Sequence, residues 1–329
     1  MSRILQQVRR TIRRYGLFPP GARVVIGLSG GADSVALTRL LLELSAHGGF
    51  RVVSLAHLNH RLRPSADRDE RFCREFAARI ELPIAAESAD VAGYASSQRL
   101  SIEDAGRRLR YEFLERAAAA AGADRIAVGH TRDDQAETFL LKLLRGAGLT
   151  GLGGIYPQRG AVVRPLLDVA RADVRAYLRS IGQPWVEDET NEDPANPRNR
   201  VRHVVLPALE GALGGQVTGA IARAAALARE DGLWLDELAL RRFTELRRRR
   251  TDGVEFDAAV LRAEPPPVRR RILLQAMRER AEGREIGLEH VEAVQEVLSG
   301  VSAAAEVPGG RVELCGGMLV LIDQTTPAK

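Results

Sequence analysis

The chain has 329 residues, 45% apolar and 28% charged, the balance of a globular protein of about two domains. That excludes disorder, collagen and coiled coil, and no apolar run approaches the ~20 residues that span a bilayer, so no membrane partner is expected. Basic residues outnumber acidic ones 48 to 43 and all but Lys142 and Lys329 are arginine; the net charge of +5 and pI near 9.7 suit a polyanion.

The opening MSRILQQVRRTIRRYGLF is basic and amphipathic, lacks a signal-peptide core, and reads as the first helix of a cytoplasmic protein. From Arg23 to about Val163, short β-branched runs alternate with amphipathic stretches: VVIGL (24–28), a helix from Ser34 to Ser45, RVVSLAHLN (51–59), a helix around Asp67 to Ile80, DRIAVGH (124–130), and a helix ending near Arg145. This is the pattern of a doubly wound parallel α/β sheet. A polar stretch rich in Asn, Asp, Pro and Arg covers 184–207 and reads as an ordered functional loop. Beyond it, long helical patterns, a Pro265–Pro267 break and a terminal VELCGGMLVLI hairpin predict a second, smaller, mostly helical domain. The expected division is 1–215 and 216–329. Cys73 and Cys315 are too few and too far apart for a disulfide framework or a redox pair.

Directly after VVIGL stands Ser29-Gly30-Gly31-Ala32-Asp33-Ser34, and helix formers follow. A strand, a Gly-Gly turn and a helix start gather free backbone N–H groups at the positive end of a helix dipole, where a phosphate binds. Asp33 is placed to hold Mg²⁺ against such phosphates. The plainer alternative is an ordinary capped helix start. Neither lysine lies in a Gly-x-x-x-x-Gly-Lys-Ser/Thr loop, so a nucleotide would be held without a Walker A lysine. Gly146-Ala147-Gly148-Leu149-Thr150-Gly151 matches Gly-x-Gly-x-x-Gly but follows a helix, so the dinucleotide-binding context fails.

The ends of later strands carry His57-Leu58-Asn59-His60-Arg61-Leu62-Arg63 and Gly129-His130-Thr131-Arg132-Asp133-Asp134-Gln135-Ala136-Glu137-Thr138. Carboxyl ends of strands in an open parallel sheet line one crevice, so these segments should face the glycine loop. His57 and His60 lack a third soft ligand and favour structural or substrate-contacting roles over metal binding. Asp134 and Glu137, at i and i+3, share a helix face and can receive an ammonium group or a metal, or simply favour the helix N-terminus.

The glycine loop resembles that of the N-type ATP pyrophosphatases, which cleave ATP between the α- and β-phosphates. With HLNHRLR (57–63), Arg107 to Tyr111, GHTRDDQAET (129–138), Arg164-Pro165-Leu166-Leu167, Asp188 to Asn191 and Arg198 to His203, the chain resembles the tRNA(Ile)-lysidine synthetases across residues 20 to 207. The resemblance implies that ATP adenylates the C2 oxygen of the wobble cytidine in a CAU anticodon, and that the amine of free L-lysine then displaces AMP. It implies ATP contacts at Ser29 to Ser34 and His57, with Mg²⁺ on Asp33. Catalytic roles fall to Asp33, Arg107, Asp134, Glu137, Arg200 and Arg202, and substrate contacts to His60, Arg63, Arg110, His130, Asp133, Asp134, Glu137, Arg198 and Asn199.

Three departures from that family stand out. Gly106 replaces a usual alanine, Asn196 stands where an aromatic residue is frequent, and the second C-terminal domain of longer members is not expected. The arginine runs 241–250 and 268–271 are either RNA-backbone contacts or solvated faces. A homodimer is left open. The competing readings are a tRNA thiolase of the same superfamily, for which the two cysteines lack the spacing, and a non-catalytic RNA-binding module.

Overall fold

A computed structural model of the protein describes residues 2–62, 66–187, 196–281 and 283–323. The first sheet contains β1 (Ala22–Gly27), β2 (Phe50–Asn59), β3 (Ile84–Ser88), β4 (Arg125–Ala127), β5 (Gln158–Arg159) and β6 (Val162–Val163), in the spatial order β3-β2-β1-β4-β6-β5. All pairings are parallel except that of β5 with β6. Val24, Val25 and Ile26 of β1 have no exposed surface, as expected of a central strand covered on both faces. The chain winds outward from β1 through β2 to β3, then returns to place β4 on the other side of β1. The crevice beyond the carboxyl ends of β1 and β4 is therefore the switch point of the fold.

The helices of this unit are α1 (Arg3–Arg14), α2 (Ala32–Ser45), α3 (Ala66–Arg79), α4 (Val91–Gln98), α5 (Ile102–Ala120), α6 (Arg132–Leu143), α7 (Leu149–Leu152), α8 (Arg171–Ser180), α9 (Pro197–Arg200) and α10 (Leu206–Leu213), followed by α11 (Val217–Leu246). One face of the sheet packs Val24 and Ile26 with Leu5 of α1, Leu37 and Leu41 of α2, Phe76 of α3 and Leu178 of α8. The other face packs Val25, Ala56 and Ile126 with Phe113 and Leu114 of α5. Alternation along β1 thus supplies two cores, and the doubly wound expectation holds.

Chain contacts divide the protein into residues 1–229 and 230–329, within α11. The second unit is richer in strand than the sequence suggests. Its terminal hairpin, β10 (Gly310–Cys315) and β11 (Met318–Asp323), belongs to a five-stranded antiparallel sheet with β7 (Arg248–Arg250), β8 (Gly253–Asp257) and β9 (Ala304–Val307), ordered β7-β8-β11-β10-β9. The hairpin turns at Gly316 and Gly317, with φ of +56° and +80°, the backbone region a tight turn of this kind demands. Phe243, Phe256, Ile272, Leu273 and Val294 form a core among the sheet, α12 (Ala258–Ala263), α13 (Pro266–Arg278) and α14 (Leu288–Ser299). Strand β7 is all arginine, so no apolar alternation marks it. Charge on an edge strand also discourages edge-to-edge pairing.

The stretch expected to be a loop at 184–207 is largely helical where it is described: α9, a π turn at Val201–Val205 and α10 run on continuously. Asn196 is its N-cap, its Oδ1 accepting from Arg198 N at 2.8 Å, with Pro197 next. The residue that lacks an aromatic ring here starts a helix instead. Asp188 to Asn191 lie outside the described residues.

Gly106 is buried inside α5, where a methyl group would meet Val91 Cγ1 at 3.5 Å and His60 Nδ1 at 4.0 Å, ordinary van der Waals contact. Gly106→Ala should therefore stabilise the protein by about 0.5–1 kcal/mol, read as a thermal midpoint raised by about 2–4 °C. A lowered midpoint would mean that Val91 leaves no room.

Candidate active site

The turn after β1 is held from several sides. Gly30 adopts φ +87°, a left-handed conformation that favours glycine, and its carbonyl accepts from Val186 N at 2.9 Å. A Cβ there would lie 3.3 Å from Cys73 Sγ and 3.5 Å from Phe72 and Val186. Ser34 Oγ accepts from Ser29 N at 3.1 Å, donates to Gly31 O at 3.0 Å and lies 3.1 Å from Ser29 Oγ. Helix α2 opens at Ala32 with Gly31 as N-cap and no side-chain cap, which leaves its first amides to an anion. Burial pushes the Cys73 thiol up to about 12, so the cysteine behind the loop is an inert packing group.

Opposite the loop, Gly129 precedes α6. A Cβ at this position would sit 3.0 Å from Asp33 C and 3.1 Å from Asp33 O and Ser34 N. The two backbones approach so closely that even a methyl group would press on the Asp33 backbone, which brings the start of α6 against the start of α2. Thr131 and Asp134 form a capping box on α6, with Asp134 Oδ2 accepting from Thr131 N at 2.7 Å and Thr131 Oγ1 at 2.8 Å.

The remaining carboxylate oxygens of this helix face three guanidiniums. Asp134 Oδ1 accepts from Arg171 Nη2 at 2.9 Å and Arg198 Nη2 at 3.0 Å, with Arg202 Nη2 at 3.5 Å. Glu137 Oε1 accepts from Arg171 Nη1 at 3.0 Å and Arg202 Nε at 2.7 Å, and its Oε2 from Arg198 Nε at 2.8 Å and Arg202 Nη2 at 3.0 Å. Arg198 and Arg202 reach the same carboxylate because α9 and the π turn carry them, four residues apart, past α6. Arg171, the first residue of α8, also lies 3.8 Å from Asp33 Oδ2 and so links this cluster to the phosphate loop. Asp133 serves the scaffold: its Oδ2 accepts from Arg171 N at 2.8 Å, satisfying an open amide at the start of α8.

The charges divide sharply. Burial alone would raise Asp134 and Glu137, but Arg171 and Arg198 around Asp134, and Arg202 hydrogen-bonded to Glu137, hold both below the usual carboxylate range. Burial, reinforced by the nearby Asp134, instead raises Asp33 to about 7 against the weaker pull of Arg171. His130 is depressed to about 3 by burial and is neutral. His57 is also lowered by burial; its Nδ1 donates to Leu28 O at 2.8 Å, which leaves the buried Nε2 as an unpartnered acceptor.

Several expected residues stand apart from this cluster. Arg107 and Arg110 are exposed on α5, with the Arg107 guanidinium 5.3 Å from the Tyr111 ring centre. His60 is half-buried just after β2, Asn199 is buried in α9, Arg200 is exposed, and Arg63 lies outside the described residues. Sequence reasoning missed Arg171 and the close approach at Gly129. It also gave no role to Arg164, which is buried and donates to Tyr156 O at 2.6 Å and Tyr111 Oη at 3.3 Å.

Among the described residues no three His, Cys, Asp or Glu side chains converge as a metal-ligand set. Asp33 Oδ1 is nevertheless buried without a hydrogen-bond partner. A single open carboxylate oxygen fits Mg²⁺, which commonly takes one or two carboxylates and completes its shell from phosphate and water. Beside the cluster a cavity of about 290 Å³ is walled by Asp133, Glu137, Arg171, Arg202, Glu210 and Thr218.

Residues 2–209 match the PP-loop domain family and residues 256–320 the TilS substrate binding domain family. The tRNA(Ile)-lysidine synthase of Geobacter sulfurreducens is 40% identical over 324 residues, covering 96% of this chain and 67% of that protein. The chain belongs to the tRNA(Ile)-lysidine synthase family. A second lysidine synthase, from Symbiobacterium thermophilum, is 38% identical over 93% of this chain and 64% of its own length. The chain thus spans about two thirds of the length of these two lysidine synthases. Among solved structures, a U34-tRNA thiolase from Methanococcus maripaludis aligns with a TM-score of 0.57 at 18% identity, covering 69% of this chain and 78% of that one, a likeness of fold alone. No single helix among the described residues is long and apolar enough to cross a membrane.

The Asp33 carboxyl ionises near 3.8 in an unfolded chain and near 7 in the fold. Its ionisation therefore favours the unfolded chain, and stability falls as pH rises from about 4 to about 7. Without nucleotide or divalent cation, Asp33→Asn should stabilise the fold at pH 8 by about 1–3 kcal/mol after allowance for its partial exposure, read as a raised melting midpoint, and have little effect near pH 4. Equal midpoint shifts at both pH values would refute the burial of this charge.

Proposed function

We propose that the protein is an ATP-dependent ligase that joins L-lysine to C2 of the wobble cytidine in a tRNA(Ile) with a CAU anticodon, releasing AMP and pyrophosphate. The observation that carries this reading is the meeting of the phosphate loop with the carboxylate–arginine cluster through Arg171, in a chain of this family. ATP lies with its β- and γ-phosphates on the amides of Ser29 to Ser34. The cytidine O2 attacks the α-phosphorus, pyrophosphate leaves onto the loop, and the amine of lysine forms the C2–N bond as the C2–O bond to AMP breaks and the amine sheds a proton. Asp33 would hold Mg²⁺, which would supply positive charge beside the leaving group and favour the ionised form of this carboxylate. The buried acceptor His57 Nε2 lies against the loop as an ATP contact.

Free lysine takes the 290 Å³ cavity, whose lining of arginines together with the carboxylates of Asp133 and Glu210 suits a molecule with one carboxylate and two ammonium groups. Asp134 and Glu137, held low by arginine, are weak proton acceptors, and in this reading they position Arg198 and Arg202 toward the phosphates. Arg107 and Arg200 keep their proposed catalytic roles, and His60, Arg110, His130 and Asn199 their proposed substrate contacts. Exposed Leu227 and Trp234, seven apart on α11, support a homodimer, which its mass in solution would check. A cytoplasmic location follows from these substrates.

The test is AMP release from ATP by the purified protein with lysine and CAU-anticodon tRNA present or omitted, followed by mass analysis of the wobble nucleoside. Release that needs all three, with cytidine gaining the mass of lysine less water, is the expected result. AMP release indifferent to lysine would refute the ligase. Arg202→Ala should lower turnover at least about 100-fold, the scale for losing one fixed transition-state donor.

A further inference from the structure

Helix α1 carries Arg3, Arg9, Arg10, Arg13 and Arg14, all exposed, and contains no acidic residue. Its inner face, Leu5 and Val8, is fixed in the core, so the arginines form an outward basic surface on a rigid support. The last of them, Arg14, borders a cavity of about 190 Å³ that is also lined by Arg132 of α6 and by Arg223 and Arg229 of α11. Among the described residues the one acidic side chain lining it is Asp168, whose Oδ2 already accepts from Thr11 Oγ1 at 2.9 Å.

The geometry at Gly219 brings two of these guanidiniums together. A Cβ at Gly219 would lie 3.5 Å from Arg223 Nη1 and 4.0 Å from Arg132 Nη1, so the absence of a side chain leaves room for both. Arg132 Nε is buried without a hydrogen-bond partner, and neither Arg132 nor Arg223 makes an ion pair among the described residues. Among the described residues, buried Arg229 donates only to neutral groups, Ile155 O at 3.3 Å and Tyr15 Oη at 3.4 Å. Adjacent guanidiniums repel, and leaving Arg132 and Arg223 without an ion pair costs free energy unless an anion completes the site. Elsewhere in this unit the protein does supply carboxylates, as Asp134 and Glu137 show.

We propose that the cavity bounded by α1, α6 and α11 binds a backbone phosphate of the RNA substrate, and that the arginine face of α1 continues this contact along the strand. The site is separate from the phosphate loop, and this inference rests on the reading that the substrate is RNA. A single small anion would account for the cavity but not for the run of exposed arginines leading to it, whereas a polyanion accounts for both.

The experiment is equilibrium binding of a CAU-anticodon tRNA transcript, without lysine, over a series of salt concentrations, using the full chain, Arg223→Gln, the double variant Arg132→Gln/Arg223→Gln, and Arg223→Lys. Lysine is omitted because Arg132 and Arg223 also border the larger cavity. The double variant should bind about 10-fold more weakly, and the slope of log affinity against log salt should fall by about 0.7–0.9 for each phosphate no longer neutralised. Arg223→Lys should recover most of the affinity, because a point charge suffices for a phosphate, and Arg223→Gln should bind ATP as the unaltered chain does. Unchanged RNA affinity and slope in a double variant that melts normally would overturn the proposal. So would a deficit that Arg223→Lys fails to restore, which would mark a packing role. If inorganic phosphate raised the midpoint of the unaltered chain but not of the double variant, while RNA affinity stayed equal, the site would belong to a free anion and the RNA assignment would be lost. An unaltered chain that bound no tRNA would instead remove the proposed function and this inference with it.

Discussion

Glu137 has no exposed side-chain surface, yet both of its oxygens are occupied by guanidiniums arriving from three places in the chain. Removing two carboxylates and three arginines from water is costly, and such a cluster persists only when almost every lone pair and N–H is used. Here the condition is met by secondary structure. The capping box fixes Asp134 on α6, Asp133 fixes the start of α8 and with it Arg171, and the helical run after Asn196 presents Arg198 and Arg202 on one side. Taking one partner from a buried pair costs about 3–5 kcal/mol, so the cluster acts as the fastener that holds three elements around the crevice.

That fastener also sets the electrostatics of the phosphate loop. The cluster carries one more positive than negative charge, but Asp134 lies nearest to Asp33 in effect, and burial and that neighbour together keep Asp33 protonated to about pH 7. In the proposed reading, a divalent cation and a phosphate chain would bring the missing countercharges as a pair. The loop is thus electrostatically unfinished by itself and complete with its ligand, a form of preorganisation in which the cost is met during folding rather than at the chemical step.

What could be read from the sequence is local. The passage from strand to Gly30-Gly31 to helix lies within one contiguous segment, and Asp134 and Glu137 share a face by simple helical spacing. Arg171 was not legible, because its partner Asp134 is 37 residues away and nothing near it distinguishes one arginine from the others. Gly129 was hidden for a similar reason, since its lack of a side chain matters only against the backbone of Asp33. In the second unit, Arg248 to Arg250 hid a strand. Several candidate RNA-binding arginines are engaged in ion pairs instead, Arg242 with Glu264, Arg250 with Asp252 and Glu255, and Arg271 with Asp236. An arginine-rich composition masks periodicity and function alike, because one residue type serves packing, pairing and recognition.

The hydrogen bond from Val186 to the Gly30 carbonyl joins residues far apart in the chain, and the central strand β1 waits for Arg125 to Ala127 before its second edge is covered. During synthesis, at about 5–20 residues per second, the segment Ser29 to Ser34 would leave the ribosome roughly 10–30 s before the residue that clamps it. The nucleotide pocket is therefore a late product of translation: the glycine turn emerges early as flexible chain, and it acquires its fixed shape only once most of this unit has been made.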